Sequence, residues 1–277
     1  MGNTFSFTMY EVHPLELKQI IIIHDLDACL LGRSIEALGE IASTDRVSTL
    51  HLDEFLGLTE RASISLATKI LVLHLDLRDE IKNHELISRH AELLGLELIN
   101  PYNRVTEIFD NKYKFYQFMI ANGLEQLKTK EIISTAEALK IIQKFTSTSA
   151  SKNFILKATH GTESRDQFYL SENWLNNLQH IETELTGYLK QVLDYDSIVL
   201  QEFLDNAETR KILIYQEQIV NKSINGQEKK LIQEFISELK ENHDELPKIF
   251  SLDLLCSESK TIILEANSRP AAIYKYL

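Results

Sequence analysis

Near its C-terminus the chain sets carboxylates inside apolar stretches, and this restricts the fold more than any other feature. Asp253 interrupts Ile-Phe-Ser-Leu-Asp-Leu-Leu (residues 249–255), and Glu265 and Asn267 lie in Ile-Ile-Leu-Glu-Ala-Asn (residues 262–267). Both stretches read as strands joined by a short polar turn. A charge in such a strand is costly unless it is paired or binds a cation. Residues two apart on a strand face the same way, so Glu265 and Asn267 share a face. A hairpin centred near Glu258 pairs residues whose numbers sum to an even total. Odd-numbered Asp253 then joins that face diagonally from Glu265, at about 7–8 Å. These hard oxygens suit one or two Mg²⁺ ions, which usually share their coordination with phosphates. The alternative is a solvated sheet face carrying three polar residues.

The 277 residues are long for one core and predict two or three subdomains. Apolar and charged fractions are ordinary, so whole-chain disorder is not expected. The net charge of −12, with no local basic patch, argues against nucleic acid as a partner. Cys29 and Cys256 are far apart, which excludes a disulfide framework or thiolate zinc site and predicts a reducing compartment. No apolar run approaches the ~20 residues of a membrane span. Residues 1–10 lack the pattern of a signal peptide. A cytoplasmic protein with no membrane partner is the expectation.

Residues 19–24 and 70–74 read as buried strands, residues 33–42 and 79–94 as helices, and 97–99 as a further strand. This alternation predicts a small α/β unit with a mostly parallel sheet. Asn100-Pro101 marks a turn and a boundary. Residues 111–122 read as a helix closed by Gly123. Ser134-Thr135-Ala136-Glu137 looks like a capping box opening a helix through Phe145. Residues 153–158 and 197–204 read as strands, with a long helix between them from Ser171 to Val192. Residues 209–215 and 218–224 form a hairpin about Gln216-Glu217. A charged helix over residues 226–246 carries Leu231, Phe235 and Leu239 at four-residue spacing.

Lys112 opens the helix before Gly123, and Lys157 ends the strand Asn-Phe-Ile-Leu-Lys-Ala. With Gln201-Glu202-Phe203-Leu204 on an apolar strand, and then Asp253, Glu265 and Asn267, they fall into an order that resembles the ATP-grasp superfamily. The pattern is most similar to its carboxylate–amine ligases, among them glutamate- and peptide-modifying enzymes. The resemblance covers about residues 100–270. It implies an α/β (α+β) ATP-grasp architecture: an N-terminal domain over residues 1–105, a central or lid subdomain over 106–200, and a C-terminal subdomain with the metal site over 201–277.

The resemblance also implies roles. Lys112 (with Lys114 as substitute) and Lys157 would be the two nucleotide lysines. His160, Gly161 and Ser164 would lie in the loop over the phosphates. Gln201 would face the adenine amino group, with main-chain groups of Glu202, Phe203 and Leu204 completing the contact. Glu208 would take the ribose. Asp253, Glu265 and Asn267 would hold Mg²⁺, or Mn²⁺ in its place. Glu208-Thr209-Arg210 matches an acid-x-Arg pattern of peptide-modifying ligases. The sequence departs from the family where Ala158 follows Lys157 in place of the usual proline, and where the phosphate loop has one glycine.

The implied chemistry is attack of a carboxylate on the γ-phosphate of ATP. An acylphosphate forms, and an amine or hydroxyl then displaces phosphate, with ADP as the other product. Arg210 and Arg269 are the candidates to hold the carboxylate or the phosphate, and Lys222 is a further phosphate candidate. His24-Asp25-Leu26-Asp27 follows the first strand, where open α/β sheets bind ligands. The expected partner is a small-molecule or peptide carboxylate, with a homodimer as the default assembly. A kinase of the same fold, or a nucleotide-binding module without turnover, are the alternatives.

Overall fold

The computed structural model describes residues 15–24, 42–58, 68–72, 80–160, 167–172, 178–220, 223–258 and 260–268. Among these are three four-stranded sheets. The first is parallel, in the order β2-β1-β3-β4, from Leu15–His24 (β1), Ala42–His51 (β2), Thr68–Val72 (β3) and Glu97–Leu98 (β4). Strand β1 is central, which is why its isoleucine run has no polar alternation: Ile20, Ile22 and Ile23 are fully buried. Strand β2 was not apparent in the sequence. Among the described residues it is an edge strand, Ala-Ser-Thr-Asp-Arg-Val-Ser-Thr-Leu-His, with no apolar run to betray it. Two helices follow in this region, Leu52–Leu56 (α1) and Glu80–Leu93 (α2). The helix expected over residues 33–42 lies outside the described residues, apart from its final position, Ala42, which opens β2.

The second sheet is antiparallel, in the order β5-β8-β6-β7, from Thr129–Ile132 (β5), Phe154–Ala158 (β6), Gln167–Leu170 (β7) and Ile198–Glu202 (β8). Its even-numbered residues pack beneath helices that include Thr135–Ser147 and Leu178–Leu193. Phe154, Leu156, Ile198 and Leu200 join Ile142, Phe145, Leu185 and Leu189 in one core. Ser134 does precede the first of these helices, but its side chain makes no capping bond, so the expected capping box is not formed.

The third sheet has the order β10-β9-β11-β12, from Glu208–Tyr215 (β9), Gln218–Ile219 (β10), Ile249–Cys256 (β11) and Thr261–Asn267 (β12). Helices Arg104–Asp110, Lys112–Ala121 and Gly226–Asn242 cover one of its faces. There Phe109, Phe115, Phe235, Phe250, Ile212 and Leu252 pack together. Val105, Phe109, Phe115, Met119 and Leu124 therefore pack in the core of the C-terminal sheet. Helix Lys112–Ala121 ends as the sequence suggests. Gly123 adopts φ 72°, and Leu124 N–H and Gly123 N–H return to the carbonyls of Met119 and Ile120 at 2.9 and 3.1 Å.

The Asn100 boundary is a clamp and not a loose linker. Its buried amide donates to the carbonyls of Val72 (2.9 Å) and Ser268 (3.1 Å) and accepts from Val72 N–H (3.0 Å). The C-terminal edge of the parallel sheet is thereby tied to the end of β12. Truncation by Asn100→Ala leaves three buried backbone groups without partners. It is expected to lower unfolding free energy by about 3 kcal/mol, given ~1–3 kcal/mol per orphaned group and partial relaxation. Urea denaturation followed by circular dichroism measures this.

Candidate active site

Strands β9 and β11 alternate strictly, which sorts their side chains between two environments. Ile212, Ile214, Leu252 and Leu254 point into the helix-covered core, and Lys211, Leu213, Ser251 and Asp253 point the other way. The β11–β12 register is Ser251↔Asn267 and Asp253↔Glu265, then shifts, so that Leu254 pairs Ile263 and Leu264 is left over as a bulge. Glu265 is thus directly opposite Asp253 and not diagonal to it. Without the bulge, Glu265 would face the core alongside Ile263. The extra residue turns Glu265 and Asn267 back to the side of Asp253, a common service of bulges beside functional sites. Asp253 and Glu265 lie close enough for each to alter the other's affinity for a proton.

Lys157 approaches this acidic pair from the free face of the second sheet. It is the fourth residue of β6, buried, and its Nζ donates to Gln201 Oε1 at 3.3 Å. Gln201 in turn donates from Nε2 to Thr129 Oγ1 at 3.1 Å. Burial pulls the Lys157 pKa down, Glu265 counters by favouring the ammonium, Lys112 opposes it, and Asp253 again favours it. Lys112 is the first residue of its helix, and its N–H donates to Thr159 O at 3.1 Å, which locks that helix to the end of β6.

Glu265 feels the whole cluster. Burial alone would raise its pKa, but Lys112, Lys157 and Lys211 hold it below the usual carboxylate range. Burial pushes the Asp253 carboxyl up to about 6, with Glu265 adding to the rise and Lys211 opposing it. Two adjacent carboxylates with unequal affinities for a proton are what a shared cation would relieve. Together with the Asn267 amide they give a hard-oxygen donor set that fits Mg²⁺. Among the described residues no group of three or more His, Cys, Asp or Glu is placed to hold a metal.

Other expected residues are placed differently. Arg210 does not join the cluster. Its neighbour across β11 is Leu254, and its guanidinium pairs with the fully buried Glu228 and donates to Ser223 O. The residue that does face Asp253 is Lys211, which the sequence reading passed over. Its Nζ lies 2.8 Å from both Asp253 oxygens. The signal was present: in Arg-Lys-Ile-Leu-Ile, Arg210 shares the parity of the buried isoleucines and Lys211 does not.

His160 spends both ring nitrogens on the protein. Asn111 Oδ1 accepts from Lys114 N–H, so Asn111 Nδ2 must donate to His160 Nε2 (2.9 Å), and His160 Nδ1–H donates to Asp196 at 2.7 Å. It braces the root of the proposed phosphate loop. Lys114 pairs with Glu107 and does not substitute for Lys112 here. In the linker, the Glu202 and Phe203 amides donate to Lys128 O and Asn153 O, and the Glu202 side chain accepts from Ser149. The Leu204 amide has no hydrogen-bond partner among the described residues. Glu208 opens β9 at the surface. Gly161, Ser164, Lys222 and Arg269, and Asp25 to Asp27, lie outside the described residues.

Known structures match this arrangement over nearly the whole chain. A D-cycloserine synthetase, DcsG, superposes with a TM-score of 0.69 at 11% identity, covering 93% of this chain and 94% of its own. The D-alanine–D-alanine ligase of Helicobacter pylori gives 0.64 at 15% identity, covering 95% and 94%. The chain has the ATP-grasp fold. PsnB, an ATP-grasp ligase solved with a precursor peptide and AMPPNP, gives 0.58 at 12% identity, covering 92% and 90%. By sequence, no protein family and no curated protein matches the chain. Among the described residues no helix is long and apolar enough to cross a membrane.

Proposed function

We propose that the protein is an ATP- and Mg²⁺-dependent ligase that activates a carboxylate of an amino acid or peptide as an acylphosphate and releases ADP and phosphate. The observation that carries this reading is the meeting of Lys157 from the second sheet and Lys112 from a helix start with Glu265 and Asp253 on the third sheet. Lys157 and Lys112 hold the phosphates by charge, and the Gln201 amide fixes the Lys157 ammonium. Asp253, Glu265 and Asn267 would hold Mg²⁺, which when bound neutralises charge on the transferring phosphate. The Leu204 amide is the donor left for the base. The Asn100 clamp ties the carboxyl end of β3 to Ser268, next to Asn267; open α/β sheets receive ligands at such strand ends, which supports an acceptor site there.

In the reaction, an acceptor carboxylate oxygen bonds to the γ-phosphorus as the P–O bond to ADP breaks. An amine then attacks the acyl carbon, phosphate departs and the amine proton is lost. Nothing in this sequence requires a covalent enzyme residue; positioning and electrostatics suffice. The fold neighbours include D-alanine–D-alanine ligases and a ligase seen with a precursor peptide, which favours amino-acid or peptide acceptors.

The test is incubation with Mg·ATP and a panel of amino acids and acidic peptides, with hydroxylamine as the trapping amine. Equal ADP and phosphate with an acyl hydroxamate are expected. AMP and pyrophosphate would overturn the mechanism, and a stably phosphorylated acceptor would replace it with a kinase.

A further inference from the structure

Lys211 raises a question that the ligase reading does not answer. Its ammonium bridges both oxygens of Asp253 at 2.8 Å, on the face where a divalent cation would have to bind. The Asp253 side chain is 8% exposed, so this is a desolvated pair and not a loose surface contact, although the lysine side chain itself is 38% exposed. Both oxygens are engaged by one cation already. A divalent cation on Asp253 would sit beside that ammonium and be repelled by it, so close binding favours displacing the ammonium.

Charge counting shows when displacement is favourable. The cluster holds two carboxylates, Asp253 and Glu265, and three lysines, Lys112, Lys157 and Lys211, all acting on Glu265. Its positive charges already outnumber its negative ones. A free divalent cation entering it would add two further positive charges at short range, where low dielectric makes repulsion strong. A nucleotide triphosphate reverses the balance, because its phosphates bring several negative charges. They also offer the displaced ammonium a new anionic partner on the same face.

We propose that Lys211 is an internal counter-ion that excludes free divalent cation from Asp253 and yields only when nucleotide phosphate enters, so that metal and nucleotide load together. The inference rests on the reading of Asp253, Glu265 and Asn267 as the metal site. It makes metal and nucleotide mutually dependent, and by linkage each must tighten the other equally. Lys211 is a positioning residue in this scheme, and its effect is read in binding and not only in turnover.

The test is titration of the full chain with Mn²⁺, by electron paramagnetic resonance, with and without saturating AMPPNP. Lys211→Met is expected to bind free Mn²⁺ at least fivefold tighter than the unaltered protein, while with AMPPNP the difference falls below twofold or reverses. Lys211→Arg, which keeps the charge, should retain weak free-metal binding, and matching thermal melts establish that the variants are folded. Free Mn²⁺ affinity that is unchanged or weaker in Lys211→Met would overturn the inference. If Glu265→Gln loses Mn²⁺ binding at the same time, the metal site itself stands and only the role of Lys211 falls. If Glu265→Gln binds Mn²⁺ as well as the unaltered protein does, the site assignment falls and the inference with it.

Discussion

Methionine in place of Lys157 is expected to make the protein more stable and less able to bind nucleotide. The side chain is buried and its pKa is pulled down by burial, so the folded protein holds an ammonium it would rather not solvate poorly. The sign follows from linkage. A lysine whose folded pKa is depressed carries its full penalty at pH below that value, and the penalty fades as pH rises toward the ordinary lysine range. At neutral pH, removing the charge relieves that penalty, partly offset by the hydrogen bond Gln201 loses and by the attraction Glu265 and Asp253 lose. A higher Tm without ligand is the expected net effect. Nucleotide affinity should fall about 10- to 100-fold, the worth of one charge-assisted hydrogen bond of ~1.5–3 kcal/mol. Thermal melts with and without Mg·ATP read both effects at once. A fall in Tm, or an undiminished nucleotide-induced shift, would count against Lys157 as a phosphate ligand.

The second large effect belongs to Glu265→Gln. The amide keeps the shape and removes one negative charge from a cluster of three lysines and Asp253. Metal-dependent phosphoryl transfer draws several kcal/mol from charge neutralisation, so turnover should drop about a thousandfold or more. The fold should persist, because the apolar core of the third sheet lies on the opposite face of β11 and β12. Phosphate release against urea midpoint separates the two. An unchanged rate would place the chemistry elsewhere in the molecule.

Much of this was legible before any coordinates, and the reasons are physical. Asp253 and Glu265 betrayed themselves because carboxylates are costly in apolar strands, and Lys157 because it ends one. The β9–β10 hairpin was readable about Gln216-Glu217, and both residues do adopt positive φ, 45° and 65°, as a two-residue hairpin turn requires. What the sequence hid was register. A matched pattern favoured Arg210, whereas strand parity, once the pairing with β11 is known, favours Lys211. The polar edge strand β2 and the short helix Arg104–Asp110 carry too little apolar periodicity to stand out. That Val105 and Phe109 fill the core beneath a sheet far downstream is a long-range contact that no local pattern signals.

Leu264, the residue left over between β11 and β12, gives the hairpin a slack link. A one-residue gain or loss in the turn at 257–260 can be absorbed there, by forming or dissolving the kink, with Glu265 and Asn267 still beside Asp253. No such spare lies between Glu265 and Asn267. Sequence drift should therefore be tolerated on the turn side of Glu265, while the three-residue stretch from Glu265 to Asn267 keeps its length.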